Sequence, residues 1–166
     1  MLSKVIFWIG VVMLVGAAAA PPARPFVSPH PQVNLPPLQL PKFQLTRSQD
    51  EVRAIYKFAA ERPDVLHYIP CFCGCDRLGH TSNEDCFVKT RAANGDVTAW
   101  NDHGMMCPMC LAIGDRAKQM TEAGIPVSRI RADIDKTYNH TGVETPTPEP
   151  PKSKTTQPKT RPGGSF

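Results

Sequence analysis

The sequence predicts a small, mainly α-helical, cysteine-rich domain of three or four helices, with a thiol-rich loop and a short β-hairpin. Prolines crowd into the two ends of the chain and leave a stretch of ordinary composition between them. Apolar residues in that stretch recur at helical spacing. All six cysteines of the chain lie within the same stretch.

The N-terminal residues 1–20 are predicted to be a signal peptide or an N-terminal anchor. Lys4 precedes an apolar run over residues 5–20, and the small residues Ala18-Ala19-Ala20 at its end suit cleavage. The run is shorter than the roughly 20 apolar residues of a spanning helix. Pro21 is a poor neighbour for cleavage, so both fates stay open. Either one predicts an extracytoplasmic protein, periplasmic or secreted.

Composition divides the rest of the chain into three parts. Residues 21–45 are expected to form a proline-rich spacer of polyproline character. Residues 141–166 are rich in Pro, Thr and Lys, and are expected to form a disordered tail. The Cys/His-rich helical domain is then residues 46–140. The net charge is only +4 and no basic stripe is present, so nucleic acid is not an expected partner.

The first helix has clear boundaries in the sequence. Ser48 and Glu51 stand three apart and match a capping box. Pro63 disfavours helical geometry in the residue before it, which predicts an end by about Arg62. Residues 64–69 are predicted to add a short helical turn.

A hairpin is expected next. Asn94-Gly95-Asp96 is a turn signal, and it separates residues 87–91 from residues 97–100.

The second main helix should begin near Met106 or Cys107, because Pro108 suits a first helical turn. Gly124 and Pro126 predict its end. Its core-facing stripe is Met106, Cys110, Ile113, Ala117 and Met120.

A third main helix is expected to follow, capped by Ser128. Its apolar residues at helical spacing are Val127, Ile130, Ile134 and Tyr138.

Cysteine and histidine residues form two groups along the chain. The candidate ligands are Cys71, Cys73, Cys75, His80, Cys86, His103, Cys107 and Cys110. In the first group, Gly74 can bend the backbone so that neighbouring thiolates converge on one ion. A bridge between cysteines two residues apart would be strained.

The second group lies at a helix start. The amides there favour thiolates at Cys107 and Cys110. Three methionines surround the same turn, Met105, Met106 and Met109. Thiolate with thioether is the ligand set that suits Cu(I). The expected ligand is therefore a copper or zinc ion.

Two other interpretations stay open. Six cysteines in an oxidising compartment can form three disulfides and staple an interaction domain. Cys107-Pro-Met-Cys110 at a helix start also fits a thiol–disulfide oxidoreductase. The sequence shows no Ser/His/Asp set, phosphate loop or carboxylate pair, so a binding protein is favoured over an enzyme.

The first cysteine group also resembles a known family. Pro70-Cys71-Phe72-Cys73-Gly74-Cys75 is similar to the Pro-Cys-Tyr-Cys-Gly-Cys motif of bacterial exported proteins of uncharacterised function, with Phe72 in place of tyrosine. The likeness continues through Gly79-His80, Asp85-Cys86-Phe87, His103-Gly104, Cys107, Cys110 and residues 130–135. The resemblance implies that the Cys/His set belongs to one module.

The sequence therefore predicts an exported protein that binds soft metal ions, Cu(I) or Zn(II), for sequestration, resistance or delivery. Its expected partners are the metal ion itself and a membrane or metal-transport protein.

Overall fold

The computed structural model describes residues 25–152. The predicted signal peptide or anchor, residues 1–20, lies outside this range, as does the tail from residue 153. The described chain contains five α-helices, two short 3₁₀ turns and one two-stranded hairpin. The helices are α1 (Gln49–Glu61), α2 (Pro63–Leu66), α3 (His103–Met106), α4 (Pro108–Glu122) and α5 (Val127–Tyr138), and the strands are β1 (Val88–Arg91) and β2 (Val97–Trp100). Between residues 25 and 152, no helix combines the length and the apolar character that crossing a bilayer requires.

Helix α1 begins and ends where the sequence predicts. The Ser48 hydroxyl accepts the Glu51 N–H at 3.3 Å, and the Glu51 carboxylate accepts the Ser48 N–H at 2.9 Å. This reciprocal pair satisfies two amides that the first turn leaves without partners. The helix ends at Glu61, two residues before Pro63.

Helix α4 is the centre of the packing. It packs against α1, α2, α3 and α5. Its buried face includes Cys110, Ile113 and Ala117, as predicted. Gly114 lies so close to the Phe87 ring that a Cβ there would stand 2.9 Å from Phe87 Cζ. The absence of a side chain on α4 at this point lets Phe87 enter the core.

The start of α4 differs from the prediction. The helix begins at Pro108, and Cys107 is an extended N-cap residue with φ −114° and ψ 109°. The α region is disfavoured for a residue that precedes proline. Residues 103–106 therefore form the separate helix α3. This break changes the helical phase, so the prediction that Met106 faces the core is wrong. Met106 is 54% exposed, and Met105 is buried instead.

Helix α5 also starts two residues before the expected place. Pro126 is the N-cap residue, and Ser128 lies within the first turn. The predicted core contacts of Ile130 and Ile134 are confirmed, since both are fully buried.

The hairpin is confirmed, with β1 and β2 antiparallel and Val88 paired with Trp100. Arg91 attaches it to the end of α1. Its guanidinium donates to the carbonyl oxygens of Ala59 and Ala60, at 2.8 and 3.0 Å, and forms a buried ion pair with Glu84. These helix-end carbonyls have no partner within the helix, so the arginine satisfies them.

The proline-rich segment has no helix or strand within residues 25–45, but it does not stand apart from the domain. The Gln32 side chain accepts the Val97 N–H at 2.9 Å on the outer edge of β2. The Trp100 indole N–H donates to the Pro36 carbonyl at 2.8 Å. Residues 30–36 of the segment expected to act as a spacer therefore lie against the hairpin.

Residues beyond 140 are also attached to the fold. The Thr145 N–H donates to the Cys71 carbonyl, and the Thr145 hydroxyl accepts the Cys71 N–H, both at 2.9 Å. Glu144 pairs with Arg131 of α5. Contacts therefore cross the domain boundary predicted at residue 140, because Cys71 has backbone groups that this segment satisfies.

We expect Tyr56→Phe to lower the free energy of unfolding by about 1–3 kcal/mol. The buried Tyr56 hydroxyl donates to the Asn101 carbonyl at 2.7 Å and accepts the Met105 N–H at 3.0 Å. The substitution leaves both backbone groups without that partner. Urea denaturation measures the change. Tyr68→Phe is the matched control, because Tyr68 is only partly buried. Equal stability of both variants and the original chain would contradict this account.

Candidate metal centre

All six cysteines lie within the described residues, and all six are free thiols. The Sγ atoms of Cys71 and Cys73 lie 3.3 Å apart, and those of Cys75 and Cys86 lie 3.9 Å apart. A disulfide needs about 2.05 Å. The three bridges considered from the sequence are therefore not formed. Thiolates about 2.3 Å from a shared tetrahedral zinc would lie about 3.8 Å from one another, which is close to the observed range.

The first three sulfurs come from the loop after α2. Gly74 has φ +79°, a conformation that glycine adopts without strain, and it turns the chain between Cys73 and Cys75. Cys75 begins a 3₁₀ turn that ends at Leu78. The bend predicted at Gly74 is thus confirmed, and it brings the three sulfurs into one candidate ligand group.

Cys86 comes from a second 3₁₀ turn, Asn83–Cys86. The Asp85 carboxylate holds this turn by accepting the N–H groups of Thr81 and Ser82, at 2.6 and 3.3 Å. The Cys86 side chain is fully buried.

Cys110 is at the centre of the cluster. It lies in the first turn of α4, and its Sγ is 3.4 Å from that of Cys71, 3.5 Å from that of Cys73 and 3.3 Å from that of Cys86. One side chain on the central helix therefore touches two sulfurs of the loop after α2 and the sulfur of the second 3₁₀ turn.

Two histidines border the sulfurs, and their rings contact each other edge to face. His103 Nε2 is 3.7 Å from the Cys73 sulfur. His80 Nδ1 is 3.5 Å from the Cys86 sulfur. All eight residues predicted as ligands are thereby brought together. They form overlapping groups whose candidate ligand atoms lie within 4.8 Å of one another: Cys73, His103, Cys107 and Cys110; Cys75, His80, Cys86 and His103; Cys71, Cys86 and Cys110; Cys71, Cys73 and Cys75.

Asn101 is a site residue that the sequence reasoning missed. Its side-chain oxygen accepts the His103 N–H at 3.0 Å, and its amide nitrogen donates to the Asp85 carbonyl at 2.8 Å. These partners fix the amide orientation. The same nitrogen lies 3.2 Å from His80 Nε2, which must then accept. The network thus assigns the proton of neutral His80 to Nδ1, directed at the Cys86 sulfur. An asparagine that directly follows a strand carries no signal of this role in the sequence.

Hydrogen bonds between the cysteine sulfurs shift the pKa values of the thiols in opposite directions. Contact with the Cys110 thiol lowers the pKa of Cys71 to about 5. Contact with the Cys107 thiol, and next with Cys110, lowers the pKa of Cys73 to about 2. Contact with the Cys107 thiol, and next with Cys71 and Cys73, raises the pKa of Cys110. Contact with Cys71 raises the pKa of Cys75. The metal-free cluster therefore combines thiolates with thiols that donate to them.

One end of the cluster reaches the surface. Cys73, His103 and Cys107 are partly exposed, whereas Cys71, Cys75, Cys86 and Cys110 are buried. A shallow cleft lined by Cys73, Cys107 and Met109 opens at this end.

Taken together, the fold and the site define a small thiol-rich domain whose cysteines and histidines form a cluster able to hold metal. The chain belongs to the family of proteins of unknown function with a PCYCGC motif, whose family model matches residues 37–151. This confirms the resemblance found in the sequence. The matched range also includes Thr145, which holds the backbone of Cys71. No curated protein and no solved structure matches the chain.

In the metal-free chain, we expect Cys73 to react with iodoacetamide at a rate that changes little between about pH 8 and pH 6. Its lowered pKa keeps it a thiolate, whereas an ordinary thiol with a pKa of about 8.5 slows by about tenfold per unit in this range. Peptide mass spectrometry after timed alkylation measures the rate at Cys73 alone.

Cys107→Ala is the informative variant for this measurement, because the Cys107 thiol is the largest cause of the lowered Cys73 pKa. In this variant, alkylation of Cys73 should become slower as the pH is lowered. A tenfold loss per unit at Cys73 in the original chain would contradict the assignment.

Proposed function

We propose that the protein binds soft metal ions outside the cytoplasm, with Cu(I) preferred and Zn(II) second. Six cysteines, with His103, serve as ligands. The observation that carries the proposal is the convergence of six reduced cysteines. Five of the sulfurs lie 3.3 to 3.9 Å from a neighbouring sulfur, and that of Cys107 lies within 4.8 Å of those of Cys73 and Cys110. His80 supports the site by donating a hydrogen bond to the Cys86 thiolate.

Electrostatics favours occupation of the cluster. Several thiolates in a buried place repel one another, and the water that would screen them is excluded. A bound cation removes this repulsion and replaces the protons that some thiols otherwise keep. Metal binding also attaches the cysteine loop and the Cys86 turn to α4, so it contributes directly to folding stability.

The ligand chemistry supports Cu(I) as the preferred ion. Thiolates are soft ligands and dominate this set. The Met109 thioether lies on the wall of the cleft beside Cys73 and Cys107. Zinc remains the second choice, since three thiolates with one histidine is a common zinc site.

Export and a role in metal handling complete the proposal. A signal peptide or anchor in residues 1–20 would place the site outside the membrane, where sequestration, resistance or delivery are the fitting roles. Delivery implies a membrane or metal-transport protein as the partner.

The oxidoreductase alternative has less support. The two thiols of a redox pair at Cys107 and Cys110 would need to form a disulfide with each other and to contact few other sulfurs. Cys110 instead contacts three further sulfurs.

The direct test is to purify the full chain without oxygen and to measure metal and thiols together. We expect copper or zinc to be bound, with the thiols reduced but unreactive until a chelator removes the metal. A chain that stays metal-free after reduction and titration with Cu(I) and Zn(II) would overturn the proposal.

Cys110→Ser tests the centre of the site. We expect its metal affinity to fall by more than about 100-fold, because losing even an outer hydrogen-bond partner of a ligand costs 10–100-fold. Competition with a chromogenic chelator measures the affinity. Met106→Ala is the matched control, since Met106 lies near the same turn but is exposed. Unchanged affinity in Cys110→Ser would contradict the central role of this sulfur.

A further inference from the structure

We propose that the cluster holds two metal ions of unequal exposure, one retained and one exchangeable. The inference rests on the proposed function and adds that two ions in the site have different roles. It depends on how the ligand atoms divide and on how deeply each set is buried.

The open set consists of Cys73, Cys107, Cys110 and His103. Their candidate ligand atoms all lie within 4.8 Å of one another, which is enough for one four-coordinate ion. Removing this set leaves three sulfurs, those of Cys71, Cys75 and Cys86. Each pair of these three also occurs in a group within 4.8 Å. This second, closed set has no member in common with the first.

Burial separates the two sets. The three cysteines of the closed set are each at most 1% exposed. In the open set, Cys73, Cys107 and His103 are partly exposed and only Cys110 is buried. The division does not follow the sequence, because Cys73 is assigned with the helix cysteines although its sulfur also contacts that of Cys71.

The closed set is covered by structure that must open before an ion can leave. Thr145 holds the backbone of Cys71 through two hydrogen bonds. His80 donates to Cys86 from the other side, and Asn101 orients that histidine. Such coverage makes release depend on a local opening of the fold. In the open set, the cleft gives an incoming soft ligand direct access to Cys73 and Cys107.

Cys110 connects the two sets. Its sulfur is in contact with Cys71 and Cys86 of the closed set, at 3.4 and 3.3 Å. Occupation of the closed set therefore places Cys110 for the open set. The retained ion builds the domain, and the exchangeable ion is the cargo.

Cadmium ion, which takes thiolate ligands as zinc does, is a suitable probe for the full-length chain. We expect native mass spectrometry to find two Cd(II) per chain, and ¹¹³Cd NMR to show two resonances. On addition of EDTA, one resonance should disappear more than about tenfold faster than the other, because only one ion requires local opening.

Cys107→Ser identifies which ion is which. This partly exposed N-cap position tolerates serine well, and the variant should lose the rapidly released ion while keeping the slow one. Met106→Ala should keep both. Cys75→Ser should lose the slow ion, and circular dichroism reports whether that variant still folds.

The outcomes separate the two proposals. A reduced chain that binds neither cadmium nor Cu(I) nor Zn(II) would overturn the proposed function. One ion per chain, two ions released at the same rate, or loss of the slow ion in Cys107→Ser would overturn the two-ion inference alone.

Discussion

The position of Cys110 in the first turn of α4 is the constraint on which the rest of the structure depends. Its sulfur touches those of Cys71, Cys73 and Cys86, which belong to two separate parts of the chain. The helix that carries it also packs against four other helices. The packing of α4 in the core therefore also positions the central sulfur of the cluster. A chain that lost this arrangement would lose both its packing and its ligand geometry.

Much of the fold follows from local signals. The capping box at Ser48 and the proline at 63 bound α1, and the Asn94-Gly95 turn defines the hairpin. The candidate site was predictable as a set of residues, because cysteine and histidine are rare and their spacing is distinctive. The bend at Gly74 was also predictable, because only glycine adopts that conformation without strain.

The remainder depends on contacts that sequence spacing does not contain. The extended Cys107 breaks the helix and reverses the environments of Met105 and Met106. Asn101 and Thr145 act through hydrogen bonds to partners 21 and 74 positions away in the chain. Grouping by sequence placed Cys73 with Cys71 and Cys75, whereas tertiary structure also places it with α4. Low-complexity composition likewise conceals the contacts of residues 30–36 with the hairpin.

The central claim is that the six cysteines act together as metal ligands. X-ray absorption spectroscopy of the purified full-length chain, at the edge of whichever metal it carries, tests this most directly. The account predicts a first coordination shell dominated by sulfur at about 2.3 Å, with at most a minor nitrogen contribution from histidine. A first shell of oxygen and nitrogen alone would contradict it, because the ion would then be bound elsewhere.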